Sequence, residues 1–334
     1  MSAKPPSVSQ IILKYLPVLF VTWMFFFPLF WMFTTAFKYR VDWYTSPPKF
    51  VDFTPTLGNY DTLLSLVVVP LQVKIDESTG QPKINKVTGD VLLQAPSEVL
   101  PSSQYRELAR FNLLGQWYLI GSKNDFIRFV VNSIVISLAT TVFSIIAACA
   151  TAYGFSRYPP KFSDNLMFWI LSLRMLPPVA VIVPYFILFG ALNLRDQHIT
   201  LVLVYSVFNI SFGVWLLKGF FDEIPRELEE AAMMDGYGPW KVFRKVSLPL
   251  IVPGIATVAV FNIIQSINEF LLAFVLTTNV ATTGPIGLTK FLPPTGIDWG
   301  GISAGATLLV IPVIVFTIIV RNHLIRGMSM GQLR

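Results

Sequence analysis

The sequence predicts an all-α integral membrane protein of six transmembrane helices, with a long insert between the first and the second. Three observations carry this. Of the 334 residues 54% are hydrophobic and only 13% charged, about half the roughly 25% charge of a soluble domain. The mean hydropathy is +0.62. The charges also cluster, leaving long uncharged runs, and about 20 apolar residues suffice to cross the hydrocarbon core. So few charges cannot cover a soluble fold of this size. Disorder needs low hydrophobicity, and a single cysteine, Cys149, rules out an intramolecular disulfide. The net charge of +6 suits loops beside anionic lipid; no basic stripe of the kind that binds nucleic acid is present.

The first run, Tyr15 to Phe37, lies between Lys14 and Lys38. It is filled with Trp23, Phe25, Phe26, Phe27 and Trp31 and lacks a small-residue cleavage site, so it reads as an uncleaved anchor. Arg128 and Arg157 bracket the second, Phe129 to Ser156. Its stretch from Ala147 to Ala152 has the small side chains that let helices approach closely in lipid. The third, about Asn165 to Phe189, is interrupted by Arg174 and by Pro177-Pro178, which should kink it. Ile199 to Leu217 makes the fourth, Val246 to Thr278 contains the fifth with Glu269 inside it, and Trp299 to Val320 is the sixth. Gly301 and Gly305 in the last form a G-x-x-x-G helix-packing pattern.

An even number of spans puts both termini on one side. If that side is the cytoplasm, its segments carry Lys4, Lys14, Arg157, Lys161, Lys218, Arg226, Lys241, Arg244, Lys245, Arg321, Arg326 and Arg334. The short loops opposite carry only Arg195 and Lys290. The positive-inside rule then gives N-in, C-in. The chain divides into a cytoplasmic N-terminus (1–14), the first helix (15–37), a long outer insert (38–126) and a five-helix core (127–334) with a cytoplasmic loop at 222–249. Within the insert, 72–76 and 91–93 read as the arms of a β-hairpin, and Ser102 to Asn112 as a helix opened by a Ser-rich cap. The insert is either a decoration or a docking surface for an external partner.

The loop after the fourth span gathers the charge that the rest avoids. Ile224-Pro225 opens a helix of good formers from Arg226 to Ala232. Asp235-Gly236 stops it, glycine supplying a left-handed conformation, and Trp240 begins a second helix leading to Leu248-Pro249. The result is a helix–turn–helix elbow, read on composition alone as a solvated amphipathic loop. Its residues Glu230-Ala231-Ala232, Asp235-Gly236 and Pro249, thirteen positions after that glycine, resemble the EAA loop of ABC importer permeases. Asn132-Ser133, Ala152-Tyr153 and Arg157 resemble that family's NS…AY…R pattern. Arg174 to Pro178, Leu194, Trp215 to Leu217, Phe220-Phe221, Asn268 to Phe270 and Arg326 to Ser329 match it too. The likeness covers roughly residues 10–65 and 126–334 and points to the carbohydrate-uptake, maltose-type branch. It departs at the insert, about 66–125, and at the ending Met330 to Arg334.

The resemblance implies a type I importer permease in the bacterial inner membrane, a transport subunit and not an enzyme. It would work with a second permease, two ATPase subunits and an external solute-binding protein. Glu230, Ala231, Ala232, Asp235 and Gly236 would form the coupling contact with the ATPase. The chain has no G-x-x-x-x-G-K-[ST] phosphate loop, so it binds no cofactor itself, and ATP and Mg²⁺ belong to the ATPase.

Polar groups inside a bilayer are costly and usually face the bundle interior or a water-filled path. Asn262, Gln265, Ser266 and Glu269 recur at i, i+3, i+4 and i+7 and should share one helix face, lining a path for a neutral polyol or joining helices. Asn209 is a further candidate. Arg174 reads as a structural anchor or as an ion-pair partner of Glu269. An ion-coupled secondary transporter using Glu269 and Arg174 is the alternative function. His198 and His323 have no metal-ligand spacing around them.

Overall fold

The structure, a computed structural model, describes residues 8–73, 93–94, 106–113, 116–122, 124–294 and 296–330. The chain divides into two compact units, one of residues 1–127 with 290–307, the other of 128–289 with 308–334.

In the first unit, α1 (Val8–Ala36) is the expected first span. Its end is fastened by polar contacts: Asn59 Nδ2 donates to the carbonyls of Ala36 (2.9 Å) and Lys38 (3.0 Å). Lys38 is fully buried, with Nζ 3.8 Å from the centre of the Trp31 ring, a cation–π contact where the chain leaves the apolar run. The helix α2 (Gly58–Leu64) follows. The strands β1 (Leu66–Pro70), β4 (Arg106–Leu113) and β5 (Gln116–Ser122) form an antiparallel sheet in the order β1-β5-β4. Leu66 lies opposite Ser122, and so does Arg106. The pair β2 (Gln72–Val73) and β3 (Leu93–Gln94) matches the ends of the expected hairpin; its connection lies outside the described residues. The chain is thus mostly helical rather than wholly so. The helix expected over Ser102 to Asn112 is corrected: 106–113 is a strand. Pairing along the β-favouring run Trp117 to Ile120 outweighs a weak local helical pattern, and strand propensity depends on such neighbours.

The second unit is helical. Three long helices are α3 (Phe126–Arg157), α6 (His198–Asp222) and α13 (Trp299–Met330), whose first residues belong to the other unit. The two remaining spans are broken. α4 (Ser163–Ser172) and a turn to Met175 meet α5 (Pro178–Ala191) at 89°. This is the kink that Pro177-Pro178 predicts, since neither proline donates a backbone bond. The fifth span also differs from its expected bounds: the stretch Pro239–Leu250 meets α10 (Val252–Asn268) at 72°. A short helix α11 (Leu271–Leu276) then follows a break at Glu269-Phe270. Among the described residues four helices are therefore long and apolar enough to span alone, and up to six spans result when each bent pair counts as one.

Small residues set the spacing at the centre. A Cβ added to Gly213 of α6 would lie 2.8 Å from Ala148 Cβ of α3, closer than two carbons pack. Ala148, Cys149 and Ala152 are buried there with Val214, Leu217 and Phe221, so the small-residue run does what its composition suggests and Cys149 is a packing residue.

The motif residues at the start of α3 act as fasteners. Asn132 Nδ2 donates to the carbonyls of Val280 (2.8 Å) and Thr282 (2.9 Å), and Ser133 Oγ accepts from Gly284 N (2.8 Å). His198 Nε2 stands 2.9 Å from Asn132 Oδ1; because the Asn132 amide nitrogen is spent on carbonyls, the imidazole is the donor. Asp196 completes the clamp. Its carboxylate accepts backbone bonds from Thr278, Asn279, Val280 and Ala281 at 2.9–3.1 Å. Burial pushes its carboxyl up, but these four donors outweigh that and hold it below the usual 3.8.

Because the folded value is depressed, the clamp is fully formed above the ordinary Asp value and is lost as pH falls through the lower folded one. Hydrogen bonds to a charged acceptor contribute about 1.5–3 kcal/mol. Asp196→Asn should therefore speed amide hydrogen exchange at 278–281 by about ten-fold or more near neutral pH. The two proteins should converge at a pH below 3.8; equal exchange at neutral pH would show the carboxylate to be dispensable.

Candidate functional site

The elbow after α6 is built as its sequence suggests, with one residue in an unexpected role. Pro225 leads into α7 (Arg226–Met234). Gly236 stops the helix at φ +83°: its N–H reaches Met233 O (2.9 Å) and that of Tyr237 reaches Ala232 O (3.1 Å), the paired bonds of a Schellman stop. Pro239 then starts α8 (Pro239–Val242), which widens into a π-helical turn, Phe243–Ser247, before α9 (Leu248–Leu250).

Glu229 fixes this elbow to the helices. Its carboxylate is almost fully buried; Arg157 Nε donates to it at 2.8 Å and Ser247 Oγ at 2.7 Å. Arg157 also donates to Ser156 Oγ (2.9 Å) and Ile224 O (3.2 Å), and Ser156 Oγ donates to Asp222 Oδ1 at 2.5 Å. One carboxylate thus joins the end of α3, both arms of the elbow and, through serine, the end of α6. Successive helical residues point about 100° apart, a consequence of 3.6 residues per turn. With Glu229 turned inward, Glu230 and Ala231 are exposed, Ala232 is half-buried, and Asp235 and Gly236 are exposed. Beside them stand Met234 (88% exposed) and Trp240 (72%), a large apolar area on a charged loop. Sequence reasoning missed Glu229; the available signal was the Glu229-Glu230 pair together with Arg157, a lone cation ending a span.

The residues expected to line a path are only partly brought together. A cavity of about 170 Å³ has Arg174, Asn209, Gln265, Ser266 and Glu269 among its lining, with Tyr205. Asn262 is not among them: it is 1% exposed and its amide has no hydrogen-bond partner. The shared helix face is corrected too, because α10 ends at Asn268 and Glu269 is extended. Its carboxylate turns onto the start of α11, accepting from Leu272 N (2.9 Å) and Ala273 N (3.2 Å). Asn209 donates to Ser266 Oγ (3.0 Å), a polar link between α6 and α10. Arg174 lies over the Phe212 ring at 4.5 Å and forms no ion pair with Glu269. Among the described residues no group of three or more His, Cys, Asp or Glu could hold a metal ion.

Removing one partner of a buried ion pair costs about 3–5 kcal/mol, because the other charge stays buried. Glu229→Ala and Arg157→Ala should each lower the unfolding free energy of the purified permease by about that much. Exposed Glu230→Ala should change it by less than about 0.5 kcal/mol. The double variant should lose much less than the sum; strict additivity would show that the pair is not the fastener.

Residues 123–330 match the family described as binding-protein-dependent transport system inner membrane component. "Probable ABC transporter permease protein y4oR" of Sinorhizobium fredii is 29% identical over 314 residues, 94% of this chain and 92% of that one. The trehalose transport system permease protein SugB of Mycobacterium tuberculosis is 35% identical over 61% of this chain and 76% of its own. The maltodextrin transport system permease protein MdxG of Bacillus subtilis is 28% identical over 72% and 91%. Among solved structures, a chain of a bacterial ABC transporter that imports the acidic polysaccharide alginate superposes with a TM-score of 0.61. At 17% identity it covers 96% of this chain and 100% of that one, a likeness of fold. The ion-coupled alternative falls with this match, and the chain belongs to the binding-protein-dependent inner membrane components, the permease subunits of ABC importers, which transport and are not enzymes.

Proposed function

We propose that this chain is one of two unlike permease subunits of an ATP-driven importer of neutral sugars or polyols, with its elbow seated on a cytoplasmic ATPase subunit. The inward turn of Glu229 onto Arg157 and Ser247 carries the reading. It fixes the elbow's base while leaving Glu230, Ala231, Met234 and Trp240 free to meet a partner. Ala231 and the half-buried Ala232 allow close approach, Glu230 suits a basic group, and Gly236 sets the angle of the arms. Two ATPase subunits hydrolyse ATP with Mg²⁺, and an external binding protein delivers the solute. Both termini and the elbow lie in the cytoplasm; the insert at 38–126 lies outside.

The polar wall of Asn209, Gln265, Ser266 and Glu269 is the part of this chain that meets the solute. Amides and a hydroxyl offer both donors and acceptors, which suits a polyol. The names of the trehalose and maltodextrin relatives agree with that class.

Co-purification from native membranes with Glu230→Lys tests the elbow. The wild type should retain an ATPase subunit, and the charge reversal should release it or uncouple hydrolysis from uptake. A wild type that retains no ATPase and takes up solute on a proton gradient would overturn the reading. In a coupled transporter, Gln265→Ala should raise the KM for uptake several-fold with assembly intact; lost assembly at unchanged KM would make the wall a helix contact.

A further inference from the structure

The elbow end of α6 carries a second cavity, of about 410 Å³, where Asp164 and Met167 of α4 stand across from Trp215, Lys218, Gly219 and Asp222 of α6. It is separate from the cavity at Asn209 and Gln265, with which it shares no lining residue. Its surface chemistry is specific. Trp215 is 49% exposed and offers an indole face, whose negative π-cloud attracts the weakly positive C–H face of a sugar ring or polyol chain. Asp164 and Asp222 accept hydroxyl protons and Lys218 donates. A Cβ added to Gly219 would meet nothing within 4 Å, so its backbone is open to an occupant. Two carboxylates stand against one ammonium, which Asp222 already holds at 2.6 Å. That balance disfavours phosphates and carboxylates, and the indole face with its hydrogen-bonding rim suits a neutral hydroxylated molecule.

The position of the cavity gives it a consequence. Asp222 is the outer end of the hydrogen-bond chain that fastens the elbow: Ser156 donates to it at 2.5 Å, Arg157 to Ser156 at 2.9 Å and to Glu229 at 2.8 Å. The Lys218 and Asp222 side chains remain 28% and 43% exposed, so a solute hydroxyl can compete for the carboxylate. We propose that this cavity is a binding site for a neutral polyhydroxylated solute at the elbow end of the helices, and that the elbow reads its occupancy through Asp222, Ser156, Arg157 and Glu229. An occupant that takes an Asp222 oxygen loosens the serine link, and with it the guanidinium that positions Glu229. Solute that has crossed thereby restrains further ATP hydrolysis. This feedback rests on the elbow being the ATPase contact; the binding does not.

The test uses the assembled transporter in lipid nanodiscs without the solute-binding protein. Maltose and sorbitol are the neutral probes and glucose 6-phosphate the anionic one, with calorimetric binding and ATP hydrolysis measured on the same samples. The wild type should bind a neutral probe in the millimolar range and hydrolyse ATP more slowly when saturated. Trp215→Ala and Asp164→Asn should each weaken binding at least ten-fold, and Trp215→Phe should restore most of it. Ser156→Ala should bind normally but no longer slow hydrolysis. The site is overturned if the wild type binds neither neutral probe, if glucose 6-phosphate binds more tightly than both, or if Asn209→Ala abolishes binding that Trp215→Ala keeps. Binding at Trp215 that leaves hydrolysis unchanged overturns the feedback. Each of these results leaves the elbow assignment standing, since that is tested separately by ATPase co-purification and its loss or uncoupling in Glu230→Lys.

Discussion

The buried ion pair between Arg157 and Glu229 is the constraint on which the functional geometry depends. The elbow is short and charged, and although Ile224 and Phe243 bury in the core beneath it, its polar arms need a further fastener. One carboxylate that serves a guanidinium from α3 and a serine from the far arm fixes both arms together. The desolvation of such a pair is expensive and is repaid only by good geometry and further hydrogen bonds. Here the guanidinium also meets Ser156 and Ile224 O, and the carboxylate also meets Ser247. The pair therefore specifies an orientation more than it adds stability: Glu229 inward means Glu230 outward.

At the centre of the bundle the opposite strategy is used. Gly213 against Ala148 brings α3 and α6 into close contact at a point where a larger side chain would not fit. Regular helix hydrogen bonding is interrupted at Leu176-Pro177 and at Glu269-Phe270. Irregular backbone at such depth is tolerated where it lines a water-filled space, and both breaks border the same cavity. The close-packed seam, the helix breaks and the fastened elbow all lie within one unit of 128–289 and 308–334.

Much of this was legible in the sequence, and what was not has definable reasons. The spans follow from uncharged runs, the kink from two prolines, and the elbow's stop from one glycine, because each depends on local chemistry. The Asn132-Ser133 and Arg157 motifs were recognisable as patterns, but their partners lie far along the chain: Val280, Thr282 and Gly284 for the first two, Glu229 for the last. The stripe from Asn262 to Glu269 misled because an i, i+7 relation holds only while the helix continues, and it ends one residue too soon. The strand at 106–113 was hidden because its stabilisation lies in β5 and not in its own residues. Glu229 and Glu230 have identical chemistry, and only the phase of α7 against Arg157 tells them apart.

The two helix starts that border the cavity are both electrically muted. A helix N-terminus ordinarily presents free N–H groups and a partial positive charge, which favour anions. At α5 the first helical position is Pro178, preceded by Pro177, so two of the amides that would point outward have no hydrogen. At α11 the Leu272 and Ala273 amides are occupied by the chain's own Glu269, an anion built into the wall. What remains for a negatively charged visitor is Arg174, whose guanidinium face is taken by Phe212. The residues that break the two helices thus also withdraw the backbone donors that an anion would use.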